Sequence, residues 1–235
     1  MKKIAFITGS SKGIGKAIAL LLLKENYIVV GYSRTTSINH PNYSHIKIDL
    51  SNLGEVQKVN FPKYIDNEVL LINNAASLGE INPLNLKKDS TIIKDYNLNI
   101  ITPTLLCSKF INSFAKNQKM ILNISSGAAN SDIASWSTYC ATKSALDRLT
   151  SVIAKEKHNN LRIFSIHPGI VDTSMQSTIR NADKNLFPML NKFIDYHNNN
   201  ELENINTIAN KFKYIIKNHY KFNDNILFLR NIVIN

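Results

Sequence analysis

Tyr139 and Lys143 stand four residues apart in Tyr139-Cys140-Ala141-Thr142-Lys143. Positions i and i+4 of a helix lie on one face, one above the other. The spacing therefore sets a phenol beside an ammonium. A phenol ordinarily ionises near pH ~10, and a neighbouring cation draws that value toward neutrality. Such a pair can give a proton to a carbonyl oxygen or take one from a hydroxyl. The same spacing also describes a solvated lysine beside a half-buried tyrosine, so the surrounding elements must decide.

The first of those elements is at the N-terminus. Lys3-Ile4-Ala5-Phe6-Ile7-Thr8 is a short apolar run of the kind that forms a buried strand. It leads into Gly9-Ser10-Ser11-Lys12-Gly13-Ile14-Gly15 and then into Lys16 to Lys24, a strong helix former. Strand, glycine loop and helix together form the context of a dinucleotide site. Backbone N–H groups can approach a pyrophosphate there, and the helix dipole favours its charge. Three of the chain's 8 glycines fall in this loop, which argues against an ordinary turn.

Length and composition bound the rest. A chain of 235 residues with 44% hydrophobic and 19% charged side chains suits one globular α/β domain spanning residues 1–235. Cys107 and Cys140 sit far apart and outside any metal-ligand spacing. Neither a disulfide framework nor a metal site is expected, and a reducing cytoplasm is. The opening Met1-Lys2-Lys3 is followed by too short an apolar run for a signal peptide, and no stretch is long enough to span a bilayer. The net charge of +11 is spread over scattered lysines such as Lys47, Lys63, Lys116, Lys155, Lys184 and Lys217. No basic block interleaves with aromatics, so neither nucleic acid nor membrane is an expected partner.

Strand-like runs recur at Ile28 to Tyr32, His45 to Ile48, Val69 to Ile72, Met120 to Ile124 and Arg162 to Ile166. Helical stretches lie between them, clearest at Thr91 to Lys116 and Ser137 to His158. Apolar runs without strict alternation suit strands covered on both faces. Alternating strands and helices predict a doubly wound parallel sheet with right-handed crossovers and helices on both faces. Residues 181–223 depart from the alternation and read as two helices with an asparagine-rich joint near His197 to Asn200, either a cap over the site or a surface helical pair. Asn225 to Asn231 reads as a last edge strand.

Gly9-x3-Gly13-x-Gly15, Asn73-Asn74-Ala75, Asn99, Ser126, Tyr139-x3-Lys143 and Pro168-Gly169 together resemble the short-chain dehydrogenase/reductase family, in order over Lys3 to Gln176. Local wording is most similar to its benzil reductase and sepiapterin reductase branch: Ile124-Ser125-Ser126-Gly127-Ala128-Ala129, Trp136-x2-Tyr139-Cys140-x2-Lys143 and Asp172-Thr173-x-Met175-Gln176. The resemblance implies a Rossmann-type fold and an NADPH-dependent reductase of ketones or diketones.

Residue by residue, it implies that Tyr139 protonates the carbonyl oxygen and that Lys143 lowers the Tyr139 pKa and binds the nicotinamide ribose. Ser126 would hold the substrate oxygen. Asn99 would shape its helix and anchor a water leading from Lys143. Ser126 is preferred to Ser125 by its distance from Tyr139, and Asn99 to Asn97 by the Ile-Ile-Thr-Pro-Thr run that follows. Gly9, Ser11, Lys12, Gly13, Ile14 and Gly15 would cradle the cofactor phosphates. Asp49 and Leu50 would meet the adenine, Asn74 and Ala75 the adenosine ribose, and Pro168, Gly169, Val171 and Thr173 the nicotinamide.

Charge speaks to cofactor choice. The second strand ends Gly31-Tyr32-Ser33-Arg34-Thr35-Thr36, with no acid to bind free ribose hydroxyls. Arg34 and Lys12 are cations suited to a 2′-phosphate, so NADP(H) is expected. Trp136, Met175 and Gln176 are candidates for substrate contact, and Phe187, Met189 and Leu190 for an apolar wall. Ala76 stands where the family usually has glycine, and His167 precedes Pro168 as a packed or solvated residue. The tail from Ile232 to Asn235 has no counterpart in the family pattern. The resemblance also implies a homodimer or homotetramer. The competing reading is a non-catalytic NADP-binding sensor or scaffold.

Overall fold

The computed structural model describes residues 3–62 and 68–234; Met1, Lys2, Lys63 and Asn235, named above, lie outside them. Seven parallel strands form one sheet in the order β3-β2-β1-β4-β5-β6-β7. They are β1 (Lys3–Thr8), β2 (Ile28–Ser33), β3 (Tyr43–Lys47), β4 (Glu68–Asn73), β5 (Lys119–Ile124), β6 (Leu161–His167) and β7 (Ile226–Phe228). The apolar runs are continuous because alternate residues serve opposite faces. Ala5, Ile7, Leu70, Ile72 and Leu122 face α1 (Gly13–Lys24) and α8 (Ile205–Lys217). Ile4, Phe6, Leu71, Ile121 and Ile163 face α2 (Leu53–Gln57), α4 (Thr102–Ser113) and α5 (Ser137–Lys155). This is a Rossmann-type doubly wound fold.

Strand order reverses between β1 and β4. The loops leaving these strands diverge, and their separation opens a crevice at the carboxyl end of the sheet. Thr8 pins the two loops together: its Oγ1 accepts the backbone N–H of Asn74 at 2.9 Å and of Ala75 at 3.0 Å.

Two expectations are corrected. The helix expected over Thr91 to Lys116 is α3 (Asp89–Tyr96), a π turn (Asn97–Ile101) and α4. Pro103 has no N–H to return to the carbonyl four residues back, that of Asn99. The ladder widens there, and the Thr102 amide reaches five residues back to Asn97. The crossovers are also not all right-handed. The β4-to-β5, β5-to-β6 and β6-to-β7 steps run the same way across the sheet. The first two pass over the α4/α5 face, whereas α8 packs on the α1 face, so the last unit has the opposite hand.

That reversal follows from an excursion after β6. The chain runs through α6 (Ser174–Arg180) and α7 (Leu190–Asn198) over the carboxyl end of the sheet before descending as α8. The excursion is clasped at its base by a parallel bridge between Val171 and Glu203. Glu203 N–H donates to the Ile170 carbonyl at 2.8 Å, and Asp172 N–H to the Glu203 carbonyl at 3.1 Å. Within residues 181–223, α7 therefore overhangs the crevice, while α8 flanks the sheet. β7 lies at the sheet edge, and Leu229–Asn231 continue from it as a 3-10 turn.

Candidate active site

The crevice is a cleft of about 1050 Å³. One side, the nucleotide side of the sequence expectation, is built by Gly9, Ser11, Lys12 and Ile14 after β1, Arg34 after β2, Asp49 and Leu50 after β3, and Asn74 and Ala75 after β4. Gly13 and Gly15 lie beside this wall, within the first turn of α1. A side chain on Gly15 would begin 2.4 Å from Asn74 Nδ2 and 2.4 Å from the Gly9 carbonyl oxygen. That glycine serves the closure of the loop on Asn74, whose amide donates to the carbonyls of Thr8 and Gly9 at 3.0 and 3.2 Å. Gly9 takes φ +68°, which glycine adopts without strain. No side chain caps the N-terminus of α1, so its first N–H groups remain available to an anion. Ala76 has no positive φ, so its methyl costs the loop nothing.

Arg34 and Lys12 sit exposed on this wall, and among the described residues neither forms an ion pair. Asp49 accepts the Ser51 N–H at 2.9 Å and the Ser51 hydroxyl at 2.8 Å, which hold its pKa below the usual value.

Ser126, Tyr139 and Lys143 meet at the cleft floor with Pro168, Gly169, Val171 and Thr173. The Ser126 hydroxyl lies beside the Tyr139 phenol. Ser126 Oγ accepts the Ala128 N–H at 3.2 Å. Lys143 Nζ donates to the Ile124 carbonyl at 2.7 Å and lies 5.7 Å from the centre of the Tyr139 ring. The expected lowering of the Tyr139 pKa by this ammonium is not what the geometry gives. Burial pushes the phenol up to about 12, with the neighbouring Ser126 hydroxyl opposing it in part. Tyr139 thus holds its proton at neutral pH. Burial brings Lys143 down to about 8, opposed by the charge of Asp147.

Asn99 does not reach the cleft wall. It is buried behind Ser77, accepting the Ser77 N–H at 2.9 Å and donating to the Ser77 carbonyl at 2.8 Å and Thr142 Oγ1 at 3.2 Å. Its side chain ties the loop after β4 to α5. Asn97 bonds the Ser51 carbonyl instead, and Ser125 turns toward Asp147. The geometry thus separates both pairs that the sequence left close.

The remaining wall is aromatic. Trp136 stacks on Phe187 at 5.6 Å and meets Tyr139 edge-on at 5.7 Å. Met175, Gln176, Met189, Phe193 and Tyr196 line the cleft from α6 and α7. Phe187 and Leu190 are buried behind that surface, and Asp172 is exposed outside it. Ser77, Leu78, Gly79, Asp95, Phe193, Tyr196 and Arg230 also line the cleft and were not foreseen. Phe193 and Tyr196 are three residues apart on one face of α7, a spacing legible only once α7 is known to overhang the site.

A family model for the short chain dehydrogenases matches residues 3–184. The chain belongs to this family. Its members are oxidoreductases that use nicotinamide cofactors. Among curated proteins, the benzil reductase ((S)-benzoin forming) of Bacillus subtilis is 33% identical over 219 residues, covering 88% of this chain and 90% of that protein. A sepiapterin reductase of Xenopus tropicalis is 25% identical over 253 residues, covering 96% and 95%. A short chain dehydrogenase/reductase structure from Saccharomyces cerevisiae superposes with a TM-score of 0.81 at 22% identity, covering 98% of this chain and 97% of that one. At family level the chain is an oxidoreductase.

Proposed function

We propose that this protein is an NADPH-dependent reductase of ketones and diketones, with an aromatic diketone of the benzil type or a pterin side-chain dicarbonyl as substrate. The observation that carries the reading is the buried, protonated Tyr139 beside Ser126 at the floor of the cleft. A group that retains its proton at neutral pH suits a donor to an oxygen becoming negative. Tyr139 and Ser126 would together offer two hydroxyls to the substrate oxygen, and donors placed where charge develops stabilise the transition state more than the ground state.

The nucleotide wall fits a dinucleotide, with an uncapped helix N-terminus and two unpaired cations. When bound, the nicotinamide supplies hydride to the substrate carbon. Ser11, Lys12, Gly13 and Ile14 would hold the phosphates, and Arg34 and Lys12 the 2′-phosphate. Asp49 and Leu50 would hold the adenine, Asn74 and Ala75 its ribose, and Pro168, Gly169, Val171 and Thr173 the nicotinamide. Gly9 and Gly15 shape the loop, and Asn99 sets the position of α5. Lys143 would hold the nicotinamide ribose as an ammonium. Trp136, Met175 and Gln176 would contact the substrate beneath a cap formed by α6 and α7.

The test is NADPH oxidation with benzil, sepiapterin and simple ketones. Turnover with a dicarbonyl supports the reading. Tight NADPH binding with no turnover of any ketone would favour a sensor. We further propose a homo-oligomer formed through α4 and α5, near which Ile101 and Val152 are exposed, to be checked by light scattering. The free cysteines suit the cytoplasm. Among the described residues no helix is long and apolar enough to cross a membrane.

A further inference from the structure

Lys143 is a buried cation without a close anion. It is 3% exposed, its ammonium donates to the neutral Ile124 carbonyl, and among the described residues no carboxylate lies within 4.0 Å of it. An uncompensated charge in such a place is costly and tends to be neutralised. The anion that acts on it is Asp147, four residues on along α5 and itself 6% exposed. Burial works against the Asp147 carboxylate. Hydrogen bonds from His167, Ser125 and Ser165 outweigh that effect and hold its pKa below the usual range.

The geometry of this support is specific. Ser165 Oγ donates to Asp147 Oδ1, and His167 Nε2 meets Asp147 Oδ2 at 2.8 Å. His167 and Ser165 are two residues apart on β6 and so share one face of the sheet. His167 is 3% exposed, and its ring packs on Phe228 at 4.5 Å. Its Nδ1 has no partner.

We propose that Asp147 and His167 are positioning residues for Lys143: the imidazole pins the carboxylate one helical turn beyond the lysine, and that fixed counter-charge keeps the ammonium charged. The importance of this for turnover rests on the function proposed above. Few other ionisable groups compete. On α5 itself Tyr139 and Cys140 are uncharged at neutral pH, and Arg148 and Lys155 are exposed to solvent. Asp95 reaches α5 at Thr138, with a 2.9 Å hydrogen bond, and Lys87 meets the same hydroxyl at 3.3 Å, beyond Tyr139 from Lys143. The π turn and the 3-10 turn Gly127–Asn130 carry no ionisable side chain. Arg230 lies past β7, over the Phe228 ring at 5.7 Å.

The test reads Lys143 directly in the full chain. Lysine labelled with 13C at Cε is titrated by NMR without nucleotide, and the Lys143 signal is identified by its loss in Lys143→Arg. The wild-type midpoint is expected near 8. Asp147→Asn should lower it by about one unit or more. His167→Phe should lower it by less, and His167→Gln, which can still donate to the carboxylate, should recover part of the shift. Since Lys143 acts as an ammonium, turnover falls as pH rises through its pKa. The alkaline limb of kcat/KM for benzil should therefore move to lower pH in step. If Asp147→Asn does not fold, the two His167 variants decide. Midpoints unchanged within about 0.3 unit in variants with wild-type near-UV circular dichroism overturn the proposal, even if ketone reduction is robust. Midpoints that move while wild type reduces no ketone uphold this proposal and sink the functional reading.

Discussion

The two walls of the cleft are made in different ways. The nucleotide wall is main chain: loops after four strands, locked by Thr8 Oγ1 and the Asn74 amide. The aromatic wall is side chain: Trp136 just before α5 and Phe193 and Tyr196 on α7, backed by Phe187, segments far apart in sequence. Trp136 is itself set by Ser135, held at φ +71° with its hydroxyl donating to the Leu186 carbonyl. A wall built of backbone tolerates few substitutions but binds what every relative binds. A wall built of side chains can be repacked, and under the proposed function it is there that substrates would be told apart. Tyr139 belongs to both, since it touches Trp136 on one side and Ser126 on the other.

Breaking the junction should cost most. Tyr139→Phe keeps the ring against Trp136 and removes the proton. Ketone reduction is expected to fall about 10³-fold, with NADPH affinity by fluorescence nearly unchanged. Near-equal activity would remove Tyr139 from the chemistry. Gly15→Ala attacks the nucleotide wall through its packing. The added methyl meets Asn74 Nδ2 and the Gly9 carbonyl, and chemical denaturation should show a loss of about 1–3 kcal/mol together with weakened NADPH binding.

Arg34→Ala tests the charge of the same wall. The KM for NADPH should rise about tenfold, the scale of one lost charge-assisted hydrogen bond, with little change for NADH. An unchanged preference would refute the 2′-phosphate assignment. The smallest effect belongs to the aromatic wall. Phe193→Ala removes a ring 5.3 Å from Trp136 and should raise the KM for benzil about threefold to tenfold, leaving the KM for NADPH alone. An equal rise in both would mean that the two walls are not separable.

The same division governs what could be read from the chain. The glycine loop, Asn74 and Ser126 are short local patterns that follow strand ends, Tyr139 and Lys143 share one helix, and Gly9, Asn74, Ser126, Tyr139 and Lys143 all line the cleft. Pro103 carried the signal for the π turn, since a residue without an N–H must break the ladder at Asn99. The pKa of Tyr139 was not legible, because it depends on burial by Trp136, Phe187 and Phe193, none of them near it in a motif except Trp136. Nor was the network beneath Lys143: Asp147 is one more acid on a helix until β6 brings Ser165 and His167 against it. The reversed hand of the last crossover was hidden because no residue type marks which face of a sheet a helix will choose.

The bridge between Val171 and Glu203 makes the stretch between them a closed annex, entered and left at one doorway. Its contents can lengthen, shorten or change composition without tugging on β6 or α8. Exchange of residues 172–202 between relatives should then transplant preference for one ketone over another while the strand framework stays intact.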